Sequence, residues 1–112
     1  MKPGDIYFVS LDPTLGREQR GLRPVFVISS EAFGRVTGVA IIAAITTGGQ
    51  FARRNGLAVD LPEAGMTTVG TVRCDQIRTL DLRARKARFV ETAPKFIIED
   101  VLAMAVALFD YR

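Results

Sequence analysis

The 112-residue chain reads as a mainly β protein, a small barrel or sandwich followed by one C-terminal α-helix. Three observations predict this. Short apolar and β-branched runs recur along the chain, each closed by glycine, proline, asparagine or aspartate. From Pro94 onward the pattern changes to a glycine-free stretch of helix formers. The length suits one domain over residues 1–112, which buries roughly 65% of its unfolded surface and so holds a real core.

Taken in order, the runs are DIYFVSL (5–11), ending at Asp12-Pro13; PVFVISS (24–30), after an arginine-rich loop; and GVAIIAAITT (38–47), running into Gly48-Gly49. LAVDL (57–61) follows Asn55-Gly56, and TTVGTVRC (67–74), QIRTLDL (76–82) and KARFVE (86–91) complete the set. Seven short strands are expected, and a barrel removes the edges they would otherwise expose. In the tail, 94–110, Pro94 fits a first helical turn. Ile98, Val101, Leu102, Ala105, Leu108 and Phe109 share one face at helical spacing, while Ile97, Met104 and Val106 lie off it. A helix apolar on more than one side needs cover on more than one side, which points to a second subunit.

Charge is unevenly spread. Twelve of the fifteen basic residues are arginine, and residues 73–88 carry six basic against two acidic side chains. The segments 57–72 and 89–112 each come out at −2, so the chain is expected to have one positive face. Arginine's planar fork suits phosphate, making a nucleic acid or an acidic peptide the natural partner. No apolar run, that of residues 39–45 included, approaches the roughly 20 residues of a membrane span. No signal peptide is read at the start, and a single cysteine, Cys74, excludes an internal disulfide. A cytoplasmic setting without membrane contact is expected.

The absence of histidine excludes Ser-His-Asp and Cys-His catalysis and the paired-histidine acid and base of many ribonucleases. One cysteine and no histidine make a zinc site unsuitable, and scattered carboxylates do not suit magnesium. There is no phosphate-binding glycine motif of the Walker or dinucleotide type. No metal or cofactor is expected. Any chemistry must rest on carboxylate, guanidinium and hydroxyl groups.

Three constellations carry such groups. In RCDQ (73–76), Arg73 and Asp75 point to one face of a strand and Cys74 to the other. Asp75 can take the proton of a ribose 2′-hydroxyl and Arg73 can hold the charge that develops on the phosphoryl oxygens. An aspartate, with an ordinary pKa of about 3.9, is a weak base, so positioning and charge stabilisation must supply most of the rate. The alternative is a plain ion pair worth about 0–1 kcal/mol if exposed. In TTGGQFARR (46–54), Thr46, Thr47 and Arg53 suit a nucleic-acid backbone and Phe51 a base to stack on; the alternative is a hairpin loop that buries Phe51. In GREQRGLRP (16–24), Arg17, Arg20 and Arg23 suit phosphate, and Glu18 and Gln19 suit base edges or a hydroxyl; the alternative is a solvated connector.

The blocks GDIYFVSLDPTLGREQRGLRPVFVIS, ITTGGQFARRNG and GTVRCDQIRTLDLRAR, in that order, resemble the MazF/PemK (Kid-like) toxin family of type II toxin–antitoxin systems. The resemblance covers essentially the whole chain. It implies an SH3-like, CcdB/MazF-type barrel with a C-terminal helix, forming a homodimer. It implies a metal-independent endoribonuclease that cuts single-stranded RNA at short motifs by 2′-hydroxyl attack, leaving a 2′,3′-cyclic phosphate. It also implies a cognate antitoxin whose acidic disordered tail occupies the RNA site, with DNA contacted only through the antitoxin complex. On the matching positions, Asp75 is the base and Arg73 the acid or the phosphorane stabiliser. Glu18 and Arg23 fall on positions used for catalysis elsewhere in the family, and Thr46, Thr47 and Arg85 on RNA-contacting ones. Arg17 stands where PemK-like members carry histidine; it can hold a phosphate but cannot shuttle a proton near pH 7. Leu57 stands where close relatives carry an aromatic. The competing readings are a CcdB-like barrel that poisons DNA gyrase without cutting, and a degenerate, non-catalytic RNA-binding barrel.

Overall fold

The computed structural model describes residues 1–18, 20–48 and 54–109. Over these residues, six strands form one antiparallel sheet: β1 (Asp5–Ser10), β2 (Leu22–Val27), β3 (Ala40–Thr46), β4 (Ala58–Asp60), β5 (Thr71–Leu80) and β6 (Arg88–Thr92). Their order across the sheet is β4-β5-β3-β2-β1-β6. Two helices accompany them, α1 (Glu31–Thr37) between β2 and β3, and α2 (Lys95–Ala107) after β6.

The central strands are buried on both faces, which is why they read as near-continuous apolar runs. Phe26, Ala43, Ile45, Val72 and Cys74 face one core cluster, which α2 covers with Ile97 and Val101. Val25, Val27, Ile42 and Ala44 alternate with them and face a second cluster with Val9, Leu11, Leu80 and Leu82. A sheet apolar on both sides must coil upon itself.

Its two ends are joined by a side chain. Among the described residues no ladder connects β4 to β6. Instead the Glu91 carboxylate on β6 accepts hydrogen bonds from the Thr67 and Thr68 amides (3.1 and 2.6 Å) and the Thr68 hydroxyl (2.6 Å), in the loop leading to β5. The result is the expected small barrel with a C-terminal helix.

Three details depart from expectation. Six strands replace seven, because 67–74 and 76–82 contribute to one strand, β5. Along it, Ala43 faces Ile77 while Ala44 faces Arg73, so Cys74, Asp75 and Gln76 are accommodated between two neighbouring positions of β3. The segment 31–37, between the second and third expected strands, forms α1. The Ser30 hydroxyl accepts from the Phe33 amide at 3.1 Å, and Gly38 closes the helix at φ 77°. Finally, α2 buries Val101 and Ala105 of the expected stripe together with Ile97 from off it, while Leu108 and Phe109 stay exposed. The helix start packs closely on the N-terminal turn. Gly4, at φ 93°, lies so close to Ile98 that a Cβ would overlap it, and the Gly4 carbonyl accepts from the Ala93 amide at 2.9 Å.

Candidate active site

The irregularity in β5 builds the site. A bulge bends a strand and re-aims its side chains. Here it holds Cys74 in the barrel interior, at 1% exposure, and turns Arg73 and Asp75 outward together. Arg73 Nε donates to Asp75 Oδ1 at 2.7 Å and Nη2 to Oδ2 at 2.6 Å, a fork-on-fork ion pair. Both side chains are mostly covered yet open to solvent, at 13% and 21% exposure. The hydrogen bonds to Asp75 raise the Arg73 pKa further above its ordinary value, against an opposing effect of burial. Arg73 is therefore a fixed positive charge. Burial, with the Asp75 charge adding to it, pushes the Cys74 thiol up to about 11, so the thiol stays protonated beside the pair.

The surroundings follow from register. Arg73 lies across from Ala44 on β3, and Thr46, two residues further, projects from the same face as Ala44. Thr46 faces Thr71, and its hydroxyl accepts from the Gly48 amide at 3.3 Å. Gly70 at φ 136° allows this close approach, since a Cβ there would sit 2.7 Å from the Thr46 carbonyl oxygen. Thr47 is exposed at the end of β3.

The β1–β2 loop, residues 11–21, overhangs the same face. Glu18 shares a small cleft of about 40 Å³ with Leu11, Ala44, Gln76 and Arg78. Ala44 thus links the loop to Arg73, and Gln76 adjoins Asp75 in sequence. Within the loop the charged groups are partly occupied in holding its shape. Glu18 Oε1 accepts from the Leu15 amide at 2.6 Å. Arg20 Nη2 reaches the Gly16 carbonyl at 3.2 Å, and Arg23 Nε the Arg20 carbonyl at 2.8 Å. Arg17 is exposed.

The structure therefore brings Asp75, Arg73, Thr46 and Glu18 to one face, with Arg17, Arg20 and Arg23 in or beside the overhanging loop. Arg85 sits beneath that loop, its Nη1 donating to the carbonyls of Ser10 (2.9 Å) and Asp12 (2.8 Å). Gln19, Phe51 and Arg53 lie outside the described residues. One contributor escaped sequence reading. Arg78 donates to the Leu11 carbonyl at 2.9 Å. Simple alternation from Arg73 puts position 78 on the opposite face. The irregularity at 74–76 changes the parity, so Arg78 lies across from Ile42, on the face of Ala44.

A family model described as "PemK-like, MazF-like toxin of type II toxin-antitoxin system" matches residues 2–109. The chain belongs to this toxin family. Within the wider PemK/MazF group, the chain is 48% identical over 102 residues to endoribonuclease PemK of Escherichia coli, a span covering 91% of this chain and 77% of that protein. Its fold matches crystallised MazF from Deinococcus radiodurans with a TM-score of 0.85 at 30% identity, over 96% of this chain and 94% of that one. A MazE–MazF complex from the same organism matches with a TM-score of 0.78 at 30% identity, with the same coverage. The family match over residues 2–109 spans the barrel and α2 alike.

Proposed function

We propose that the protein is the toxin of a type II toxin–antitoxin pair and a metal-independent endoribonuclease acting on single-stranded RNA. The observation that carries this reading is the Arg73–Asp75 pair, mostly covered yet open to solvent on the outer side of an irregular strand. A carboxylate offers about four lone-pair sites and a guanidinium five N–H donors. Their two mutual bonds leave Asp75 able to accept a hydroxyl proton and Arg73 able to donate to phosphoryl oxygens at the same time.

In the proposed step Asp75 takes the proton of a ribose 2′-hydroxyl. The 2′-oxygen attacks the adjacent phosphorus, and the bond from phosphorus to the 5′-oxygen breaks. That oxygen leaves as a hydroxyl after taking a proton from water, the hydroxide so formed is neutralised by the proton that Asp75 gives back to solvent, and the other product carries a 2′,3′-cyclic phosphate. Arg73, whose pKa is raised, stabilises the charge on the phosphorane and donates no proton. Thr46, Thr47 and Arg17 line the path of the strand. Glu18 assists from the loop and Arg23 from the start of β2, and Gln19, Arg20, Phe51, Arg53 and Arg85 extend the RNA contact. PemK, the E. coli relative, is itself named an endoribonuclease.

The same reading includes a cytoplasmic homodimer and an antitoxin with an acidic disordered tail. The solved MazE–MazF complex supports the antitoxin. For the dimer, an apolar groove of about 220 Å³ runs between the end of α2 (Leu102, Val106), with Phe109 just beyond it, and Ile28, Ile41 and Ile77. Val106 is 71% and Phe109 78% exposed, leaving apolar surface that a second subunit would cover. The test is incubation of purified protein with a long single-stranded RNA in EDTA. Cleavage leaving cyclic phosphate ends is expected. RNA left intact by folded protein would favour a gyrase-binding or non-catalytic RNA-binding barrel.

A further inference from the structure

Three successive backbone carbonyls at the start of the β1–β2 loop accept hydrogen bonds from two arginines far along the chain. Arg85 Nη1 reaches Ser10 and Asp12, and Arg78 Nη1 reaches Leu11 between them at 2.9 Å. The loop closes on itself beside this anchor, with the Leu11 amide donating to Gly21 (2.9 Å) and the Gly21 amide to the Asp12 carboxylate (3.2 Å). Arg78 comes from β5, the strand that carries Arg73 and Asp75, and the irregularity at 74–76 puts it on their face of the sheet. It also lines the small cleft in which Glu18 meets Ala44 and Gln76.

We propose that Arg78 is a positioning residue, which ties the β1–β2 loop to β5 and so fixes Glu18 over the Arg73–Asp75 pair. The inference rests on the ribonuclease reading for its effect on rate, but not for its effect on the loop. A part-buried guanidinium bonded to a backbone carbonyl adds a charge-assisted contact to an otherwise exposed loop. A misplacement of about 1 Å at a reacting group can cost about 10²-fold in rate.

The experiment compares wild type with Arg78→Met, Arg78→Lys, Glu18→Gln and the Arg78→Met/Glu18→Gln double variant. One arm reads single-turnover cleavage of a short RNA and binding of its uncleavable 2′-deoxy form. The expected result for Arg78→Met is a rate loss of roughly 10-fold or more with binding little changed. Arg78→Lys, which keeps a donor, recovers part of the rate. The double variant cleaves no more slowly than Glu18→Gln alone, because Arg78 acts through Glu18. A wild-type rate in Arg78→Met, or additive losses in the double variant, overturns the proposal. Weaker binding with a shallower salt dependence also overturns it, since that marks a phosphate contact. The second arm reads hydrogen exchange of the Leu11 and Gly21 amides in the free protein. Arg78→Met is expected to speed their exchange while leaving β3 amides unchanged, and Arg78→Lys serves if the Met variant fails to fold. If wild type cuts no RNA, the ribonuclease reading falls and this arm alone decides, with unchanged loop exchange overturning the proposal.

Discussion

Arg73 and Asp75 meet two atoms on two, Nε to Oδ1 at 2.7 Å and Nη2 to Oδ2 at 2.6 Å, side by side on a strand that is locally irregular. The geometry fixes the plane of both groups. Lysine at position 73 keeps the charge but loses the fork. Arg73→Lys is expected to lower single-turnover RNA cleavage by about 10²–10³-fold, the loss typical when one preorganised donor is removed. Circular dichroism should show the fold intact. Near-normal cleavage by this variant would mean that only charge is needed.

The barrel's closure is predicted to be acid-sensitive. Burial works against ionisation of Glu91, but the Thr68 hydroxyl and the Thr67 and Thr68 amides outweigh it, and its pKa is lowered. Such a group adds stability above the unfolded pKa of about 4.3, and the gain is lost as pH falls through the lower folded value. Glu91→Gln should cost about 1–2 kcal/mol at pH 7 and give a flatter loss of stability below pH about 4.3. Urea unfolding at pH 7 and below pH 4 reads both.

Gly70 is predicted to be irreplaceable where β3 and β5 meet. At φ 136°, with the Thr46 carbonyl 2.7 Å from any Cβ, Gly70→Ala should cost about 1–3 kcal/mol. Gly65, at φ 83° with open space around it, shares the backbone strain but not the clash, so Gly65→Ala should cost less. Thermal melts of the two variants decide the order.

The exposed end of α2 is predicted to be a subunit contact. Val106→Glu introduces a charge beside the apolar groove and should shift the protein from dimer to monomer in sedimentation velocity. Equal mass for wild type and variant would remove the groove from the interface.

Much of this arrangement was legible in the sequence. Alternation placed Arg73 and Asp75 together and Cys74 inside, and the change of pattern at Pro94 marked α2. What escaped depends on contacts made at a distance. Nothing in TVRCDQIR announces that three residues slip past β3, yet that slip merges two expected strands and moves Arg78 to the other face. In α2, periodicity picked out the buried Val101 and Ala105 but not Ile97, and it took in Leu108 and Phe109, which stay exposed; the contact of Gly4 with Ile98, 94 positions apart in sequence, was not legible at all. The Ser30 and Gly38 caps of α1 were readable but bracket only seven residues, too few for a periodic signal.

The account stands most directly on Asp75→Asn. This variant keeps the size and polarity of the side chain but cannot take a proton from a 2′-hydroxyl. With RNA in EDTA, the wild type should leave 2′,3′-cyclic phosphate ends, while Asp75→Asn should bind the same RNA comparably and cut it at least about 10²-fold more slowly. Cleavage by Asp75→Asn at the wild-type rate would contradict the assignment of the chemistry to this pair.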